Sequence, residues 1–299
     1  MRSLALALCL GGLAQAGLAA DDPRSGAFAG LQQPVGARGL GLGNALAAVA
    51  DDPQALWANP AGLSHMDEYG DQAYLSGAWL GQERVDNALA YAHRFDGSGS
   101  LGLGLRQQGV GGIEAYNAQG DFLGYERSQD LTLLLAWASE VSYSFRYGLT
   151  LKGYQRQLPD QDALGGGFDL GFSFTPYLGS YATLALVLQD AGGWLQWSDG
   201  RVERPDPQLT LGLSDRYLDG HLLLSVQAAL AVADEPALAG RLGAEWRLHD
   251  SFSFRAGLDD WAPGAGFSWE LWRYTFDYGF LWDPDGLGHQ QVGSLLFKF

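Results

Sequence analysis

Apolar and polar side chains alternate along most of the chain after residue 70. Tyr143, Phe145 and Tyr147, for example, are each separated by one polar residue. A period of two is typical of a β-strand that has one apolar and one polar face. The alternation predicts fourteen strands of mostly nine to eleven residues, at 70–80, 86–95, 99–108, 129–139, 142–155, 166–175, 180–190, 207–217, 221–232, 239–248, 251–259, 264–272, 273–283 and 289–299.

The lengths of the strands and of their connections favour a membrane barrel. A tilted strand of about 9–11 residues crosses a bilayer. The connections after even-numbered strands are tight, such as 96–98 and 140–141, whereas those at 109–128, 156–165 and 191–206 are long. Short periplasmic turns and long outer loops are typical of outer-membrane barrels, and an even strand count places both termini in the periplasm. We therefore expect an all-β fold, a 14-stranded antiparallel transmembrane β-barrel.

Outward-facing aromatic residues gather next to the tight turns, where a barrel would carry an aromatic girdle. They are Phe95, Trp137, Tyr143, Phe145, Phe172, Phe174, Tyr181, Phe252, Phe254, Tyr274, Phe276, Phe297 and Phe299. The alternative is a soluble β-sandwich with these rings in its core. A sandwich needs one closed core, whereas the apolar faces here are long, repeated and banded at one end. The pattern therefore favours the barrel.

The first twenty residues predict a signal peptide. Residues 1–3 supply a positive start, residues 4–13 an apolar stretch, and residues 17–20 a mostly small-residue cleavage region. Cys9 lies inside this segment and is the sole cysteine, so we expect no disulfide in the mature chain. No later run of about 18 apolar residues predicts a transmembrane helix. Export together with a barrel predicts location in the bacterial outer membrane.

Composition narrows the possible partners and activities. The chain has 18 basic and 34 acidic residues and a formal net charge of −16, which disfavours binding to nucleic acid. The five histidines are scattered without metal-ligand spacing, and no Ser-His-Asp set or phosphate-binding loop stands out. We therefore expect no enzymatic activity, no catalytic residue, no metal site and no cofactor.

Residues 36–66 depart from the period of two and are too apolar for a free tail. Three cap signals predict short helices: Asn44 before 45–50, Asp52 with Pro53 at 53–57, and Asn59 with Pro60 before a last turn. The lumen of a fourteen-stranded barrel has room for a small plug. We therefore expect residues 21–68 to form a small N-terminal helical hatch inside a barrel of residues 69–299; the alternative is a periplasmic cap or partner-binding arm. The hatch residues singled out are Asn44, Asp51, Asp52, Trp57, Asn59, Pro60 and Gly62.

Two further sets of residues follow from strand parity. The first is a set of charged side chains that would face the lumen and form ion pairs holding the hatch: Arg146, Lys152, Asp169, Arg241, Glu245, Arg247, Arg255 and Asp277. The second lies on the outward face of the last strand and comprises Leu295, Phe297 and Phe299. A last strand that ends in this way is similar to the signal read by the barrel assembly machinery.

Several motifs together carry a family resemblance. They are GARGLGLGN at 36–44, VADD at 49–52, LWANPAGL at 56–63, YAHRF at 91–95, LVLQD at 186–190, LGAEW at 242–246 and the last strand. Through these motifs nearly the whole mature chain resembles the FadL/PorV-like outer-membrane proteins, and it is most similar to the compact PorV-type branch. Asn-Pro-Ala-Gly is the most specific part. The resemblance implies a fourteen-stranded barrel with an N-terminal hatch.

The resemblance also implies a function. FadL-type members carry long-chain fatty acids and other hydrophobic molecules inward, and PorV-type members serve protein export by the type IX system. We therefore expect an outer-membrane transport protein for hydrophobic small molecules. The alternatives are a PorV-type secretion component that docks exported cargo proteins and a purely structural barrel. The implied partners are outer-membrane lipids and lipopolysaccharide, the barrel assembly machinery, and a hydrophobic ligand or a cargo protein.

Overall fold

The structure is a computed structural model that describes residues 35–66, 70–81, 83–95, 99–176, 181–233, 236–282 and 289–299. The signal peptide predicted at residues 1–20 and residues 21–34 and 67–68 of the predicted hatch lie outside the described residues.

Fourteen long strands and one two-residue strand make up most of the described chain. In chain order they are β1 Asp71–Trp79, β2 Arg84–Phe95, β3 Gly99–Tyr116, β4 Phe122–Ser142, β5 Phe145–Gln157, β6 Asp162–Phe174, β7 Thr183–Trp197, β8 Val202–Glu203, β9 Gln208–Tyr217, β10 Leu222–Ala231, β11 Ala237–His249, β12 Phe252–Asp259, β13 Ala262–Leu271, β14 Tyr274–Leu281 and β15 Gln290–Lys298.

The long strands form one closed antiparallel barrel. Consecutive long strands pair with each other, with β7 pairing with β9, and the two-residue strand β8 pairs with the far end of β7. The ring closes where β1 pairs with β15, so that Leu75 lies opposite Leu295. The fourteen-stranded antiparallel barrel predicted from the alternation is thereby confirmed.

The two faces of the wall differ as the alternation requires. On β3, Leu101, Leu103 and Leu105 are exposed on the outer face, whereas Gly102 and Gly104 between them are buried on the inner face. Successive side chains of a strand point to opposite faces, so one period of two produces both surfaces. The outer wall is apolar, and small or polar residues line the inside.

Aromatic rings meet at the end of the barrel that carries the tight turns, called the short-turn end from here on. The rings of Tyr274 and Phe297 are stacked with their centroids 4.7 Å apart, and Phe297 meets Phe299 edge-on at 4.4 Å. Phe252 and Phe254 form a similar edge contact at 4.8 Å beside the turn between β11 and β12.

At the opposite, long-loop end, the boundaries predicted for the β3–β4 hairpin are wrong. The loop predicted at 109–128 is mostly strand, because β3 runs to Tyr116 and β4 begins at Phe122. Asn117 closes the turn, since its Oδ1 accepts a hydrogen bond at 2.8 Å from the backbone N–H of Asp121. Pairing across the hairpin, with a bulge near Val110, decides the strand length here more than the local period does.

The wall between β6 and β7 is irregular, and the loop predicted at 191–206 is partly strand because β7 continues to Trp197. The ladder shifts register on both sides of Phe168. Asp190 and Gly192 have positive φ angles of 55° and 60°. A bulge re-aims the side chains next to it, and the Asp190 side chain is buried inside the barrel.

The described N-terminal residues form three short helices, α1 at Ala37–Gly41, α2 at Ala55–Ala58 and a 3-10 helix at Pro60–His65. Among the described residues, no helix has the length and apolar character that a membrane crossing requires. The cap predicted at Asn59 is confirmed, whereas the helix predicted at 53–57 begins only at Ala55, after Gln54, so Asp52 is not its N-cap. Asp52 Oδ1 accepts a hydrogen bond from the Gln54 N–H at 2.7 Å, and Asn59 Oδ1 accepts one from the Ala61 N–H at 3.1 Å.

The helix predicted over 45–50 is wrong, because these residues form turns and the helix lies earlier, at α1. Asn44 has a φ of 61° and is not the N-cap of any helix among the described residues. Its side-chain Nδ2 instead donates to Asp259 Oδ2 on the barrel wall at 2.8 Å. A tertiary partner for the side chain replaces the local capping bond that the sequence suggests.

Candidate functional site

Residues 35–66, called the N-terminal segment from here on, lie inside the barrel against its inner wall. Its first half, residues 35–50, contacts β12–β15 through α1. Its second half, residues 51–66, contacts β2–β6 through the 3-10 helix. Inward polar side chains bind the backbone of the segment at seven points: Ser100 Oγ to Leu63 O (2.9 Å), Thr150 Oγ1 to Leu56 O (3.3 Å), Gln189 Nε2 to Trp57 O (2.9 Å), Ser214 Oγ to Ala48 O (2.8 Å), Ser225 Oγ to Ala45 O (2.7 Å), Ala47 N to Gln227 Oε1 (2.9 Å) and Ala37 N to Ser294 Oγ (3.3 Å). These wall residues satisfy buried backbone groups of the segment that short helices leave open.

Glycines on the inner wall allow the backbone of the segment to approach closely. A Cβ on Gly257 would lie 2.2 Å from the Gly43 nitrogen, and one on Gly148 would lie 2.4 Å from the Pro60 carbonyl carbon. Contacts shorter than 3.0 Å to the segment would also follow at Gly171, Gly243, Gly264 and Gly279. Only a residue without Cβ fits such a contact. These glycines were not predicted as contact positions, although a glycine at an inward-facing position of a strand is a usable signal.

Apolar packing holds the second half of the segment. Leu56 and Leu63 are fully buried and pack against inward Ala92 and Leu134, with Trp57 against the same cluster. Full burial of a leucine side chain contributes about 1.5–3 kcal/mol. Side-chain packing is therefore a main attachment of this half to β2–β4.

A network of ion pairs holds the first half. Arg38 lies 2.5 Å from Asp51 Oδ1 through Nη1 and 3.2 Å from Glu245 Oε2 through Nε. Arg255 pairs with Glu245 and with Asp277, each at 2.7 Å. The structure thus brings together Asp51 and three of the charges predicted for the lumen. Arg38 was missed as a site residue, although it belongs to the motif at 36–44.

Arg241 makes a second link from the wall to the segment. Its Nε lies 2.9 Å from Asp259 Oδ1, and Asp259 Oδ2 accepts the hydrogen bond from Asn44. Asp259 was not among the charges predicted to face the lumen. It is the last residue of β12, and the alternation assigns a side chain to a face least well at the end of a strand.

Lys152 and Asp169 belong to a separate cluster toward the long-loop end. Lys152 Nζ lies 2.8 Å from Asp169 Oδ1 and 2.7 Å from Asp190 Oδ1, and the Tyr154 hydroxyl donates to Asp190 at 2.9 Å. Asp190 was missed because its inward orientation depends on the bulge in β7. This cluster is buried in the wall next to the irregular β6–β7 ladder.

Arg146 and Arg247 differ from the other predicted lumen charges. Arg146 Nε lies 3.6 Å from Glu140 Oε2, a pair that joins two wall strands rather than wall and segment. Arg247 is exposed at the short-turn end and forms no ion pair with any residue in the described stretches.

The Asn-Pro-Ala-Gly motif builds a turn against the wall. Asn59 Nδ2 donates to Ala47 O at 2.7 Å and to Ser173 Oγ at 3.3 Å. Pro60 lies against Gly148, as described above. A Cβ on Gly62 would lie 2.3 Å from Ala50 O, so Gly62 permits close packing within the segment itself.

Two ionisable groups of the segment titrate in unusual ranges. Burial raises the pKa of Asp52 to about 6, although the neighbouring Arg38 opposes the shift. Burial lowers the pKa of His65 to about 4, and the nearby charge of Arg146 adds to the shift. At neutral pH the first is therefore charged and the second neutral.

Two polar cavities lie between the segment and the short-turn end. One has a volume of about 170 Å³ and is lined by Arg38, Arg216 and Arg247 among others. The other has about 180 Å³ and includes Thr183 among its hydroxyl-bearing residues. They share Asp51, His65 and Arg216. Within the described part of the chain, no group of three or more His, Cys, Asp or Glu side chains converges as a metal site.

Comparisons with known proteins identify the fold. No protein-family model and no curated protein matches the sequence. A Pseudomonas aeruginosa FadL homologue superposes with a TM-score of 0.63 at 12% identity, covering 89% of this chain and 98% of that one. The CymD monoaromatic hydrocarbon channel gives 0.60 at 17% identity, covering 89% and 97%, and the Pseudomonas putida toluene transporter TodX gives 0.57 at 12%, covering 86% and 95%. The PorV-type branch of the resemblance stays a prediction. This chain has the FadL-like barrel fold.

Proposed function

We propose that the protein is an outer-membrane channel for hydrophobic small molecules, with the short turns and both termini in the periplasm. The observation that carries the proposal is an apolar outer wall around a lumen occupied by the N-terminal segment. Leu89, Leu103 and Leu133 are each more than half exposed on that wall. Water penalises such surface by about 25 cal/mol per Å², whereas a bilayer accepts it. Fold relatives described as a monoaromatic hydrocarbon channel and a toluene transporter support the proposal.

In this proposal the N-terminal segment is the hatch, and its two halves have different tasks. The second half rests on apolar contacts of Leu56 and Leu63, which an entering hydrophobic molecule would replace without exposing either side chain to water. The first half is anchored by Arg38. Breaking that network would leave buried charges unpaired, which costs about 3–5 kcal/mol for a buried pair. The second half is therefore the part expected to move.

Deletion of residues 36–66 tests whether the segment closes the lumen. The variant should still run faster on a gel unheated than boiled, as a folded barrel does, and it should conduct more ions in planar bilayers because the emptied lumen is polar. Leu63→Ala is a milder variant that keeps every strand and should leak less than the deletion but more than the intact protein. If the folded deletion variant conducts no more than the intact chain, the segment is not a plug.

Uptake assays test the class of transported molecule. Cells that produce the full chain should take up toluene or oleate faster than cells without it, with no rise in the uptake of glucose. Long-chain fatty acids are the finer hypothesis, and they require oleate to be favoured. A rise for glucose alone would mean a non-selective pore. No rise for either hydrophobic probe would contradict the proposal and favour the PorV-type role in docking exported cargo.

A further inference from the structure

We propose that Arg216 and Arg247 form a binding site for a single oxyanion, a carboxylate or a phosphate group, in the cavity at the short-turn mouth. Both side chains line the cavity of about 170 Å³ beneath the N-terminal segment. The cavity borders the ion pairs of Arg38 that hold the segment, but neither Arg216 nor Arg247 takes part in them, and the site does not depend on which hydrophobic molecule the barrel carries.

The strand register brings the two arginines to the same side of the mouth. Arg216 of β9 lies opposite Leu223 of β10, which lies opposite Glu245 of β11. Arg247 occupies the next inward position along β11. Because β10 lies between them, β9 and β11 are about 10 Å apart. Two long arginine side chains that extend from these strands can reach one anion between them. Arginine presents a planar set of donors that suits carboxylate and phosphate oxygens.

Neither arginine has a carboxylate at ion-pair distance among the described residues. Most acidic side chains of the cavity are already engaged by other cations: Asp51 and Glu245 by Arg38, Asp277 by Arg255, and Glu270 by Lys298.

Asp52 and Asp250 are the other two acidic groups of the cavity, and Asp52 Oδ2 lies 3.9 Å from Arg38 Nη1. Asp52 accepts hydrogen bonds from the backbone and side chain of Gln54. Asp250 is exposed in the turn after β11, where water and salt screen its charge. The lining of the cavity has five cationic and six acidic side chains, so an anion site depends on the two guanidinium groups of Arg216 and Arg247 and not on an overall positive charge.

The adjoining cavity of about 180 Å³ supplies hydroxyl groups beside Arg216. Thr183 and the exposed Tyr181 line it, so the outward orientation predicted for Tyr181 is wrong, and neither hydroxyl has a hydrogen-bond partner in the described part of the chain. The neutral ring of His65 lies between the two cavities. Hydroxyl donors next to an unpaired guanidinium are what the remaining oxygens of a bound carboxylate or phosphate need.

The experiment measures phosphate binding to the full chain in detergent. The line width of the phosphorus resonance of inorganic phosphate is followed while protein is added at constant ionic strength, with acetate and then hexanoate as competitors. The variants are Arg216→Gln with Arg247→Gln, and the charge-retaining pair Arg216→Lys with Arg247→Lys. Arg127→Gln is the matched control, because Arg127 is exposed on β4 toward the long-loop end.

Saturable broadening that acetate reverses is the expected result for the intact chain. The glutamine pair should weaken binding at least tenfold, whereas the lysine pair should stay within about threefold, and Arg127→Gln should change nothing. Stronger competition by hexanoate than by acetate would identify the headgroup of an amphiphile as the source of the oxyanion, and equal competition a small soluble anion. Absence of saturable broadening, or equal weakening by Arg127→Gln, would overturn the proposal. Unheated gel mobility confirms that each variant is folded.

Discussion

A methyl group added to two wall glycines should expel the N-terminal segment without unfolding the barrel. A Cβ at Gly148 would lie 2.4 Å from the Pro60 carbonyl carbon, and one at Gly257 would lie 2.2 Å from the Gly43 nitrogen. Both distances are at least 1.0 Å shorter than the 3.4 Å at which ordinary contact begins. The obstructing atoms are backbone, which cannot turn aside as a flexible side chain can.

The magnitude follows from the cost of overpacking, about 1–3 kcal/mol for each site. Gly148 on β5 and Gly257 on β12 contact different halves of the segment, so the two costs should add to about 2–6 kcal/mol. At the lower bound, the ratio of docked to released segment falls about 30-fold. Gly148→Ala with Gly257→Ala should therefore raise the conductance in planar bilayers clearly.

The matched control is Gly153→Ala with Gly293→Ala, since a Cβ at either position has no heavy atom within 4 Å. Labelling gives a second measurement. With Ala47→Cys in both backgrounds, a water-soluble maleimide should react faster when the segment is released, because Ala47 is buried when it is docked. Equal conductance and equal labelling of the two glycine pairs, with both barrels folded, would refute the close-packing argument.

Three further predictions concern the anchor, the titrating groups and assembly. Arg38→Gln should raise conductance more than Arg38→Lys, because glutamine leaves Glu245 without its charged partner from the segment; equal conductance of both would contradict the ionic anchor. Burial raises the pKa of Asp52, so the contribution of Asp52 to docking is present at low pH and is lost as the pH rises through about 6. Burial lowers the pKa of His65, so the contribution of His65 to docking is present at high pH and is lost as the pH falls below 6.5. Conductance should therefore rise with pH in His65→Asn and fall with pH in Asp52→Asn, and slopes of the same sign would refute the assignment. Deletion of Phe299 should lower the yield of heat-modifiable barrel in outer membranes, and an unchanged yield would mean that Phe299 is not part of an assembly signal.

The sequence by itself determined the strands and the faces of the wall. Successive side chains of a strand point to opposite faces because the backbone is pleated, and this geometry does not depend on residues far away in the chain. The fourteen strands and the outward direction of Leu295 follow from it. The cap at Asn59 was predictable for the same reason, since its hydrogen bond spans two residues along the chain.

Only the tertiary structure decided how the N-terminal segment fits the lumen. Asn44 donates a hydrogen bond to Asp259, which is 215 positions away in the chain, and does not form the local cap that the sequence suggests. Arg38 becomes an anchor because Glu245 lies opposite it, and Gly257 must lack a Cβ because Gly43 lies against it. Each of these roles belongs to a pair of residues that are adjacent only after the barrel has closed. Local periodicity carries information over a few positions, whereas contact across a lumen depends on the register and closure of every strand between the two residues.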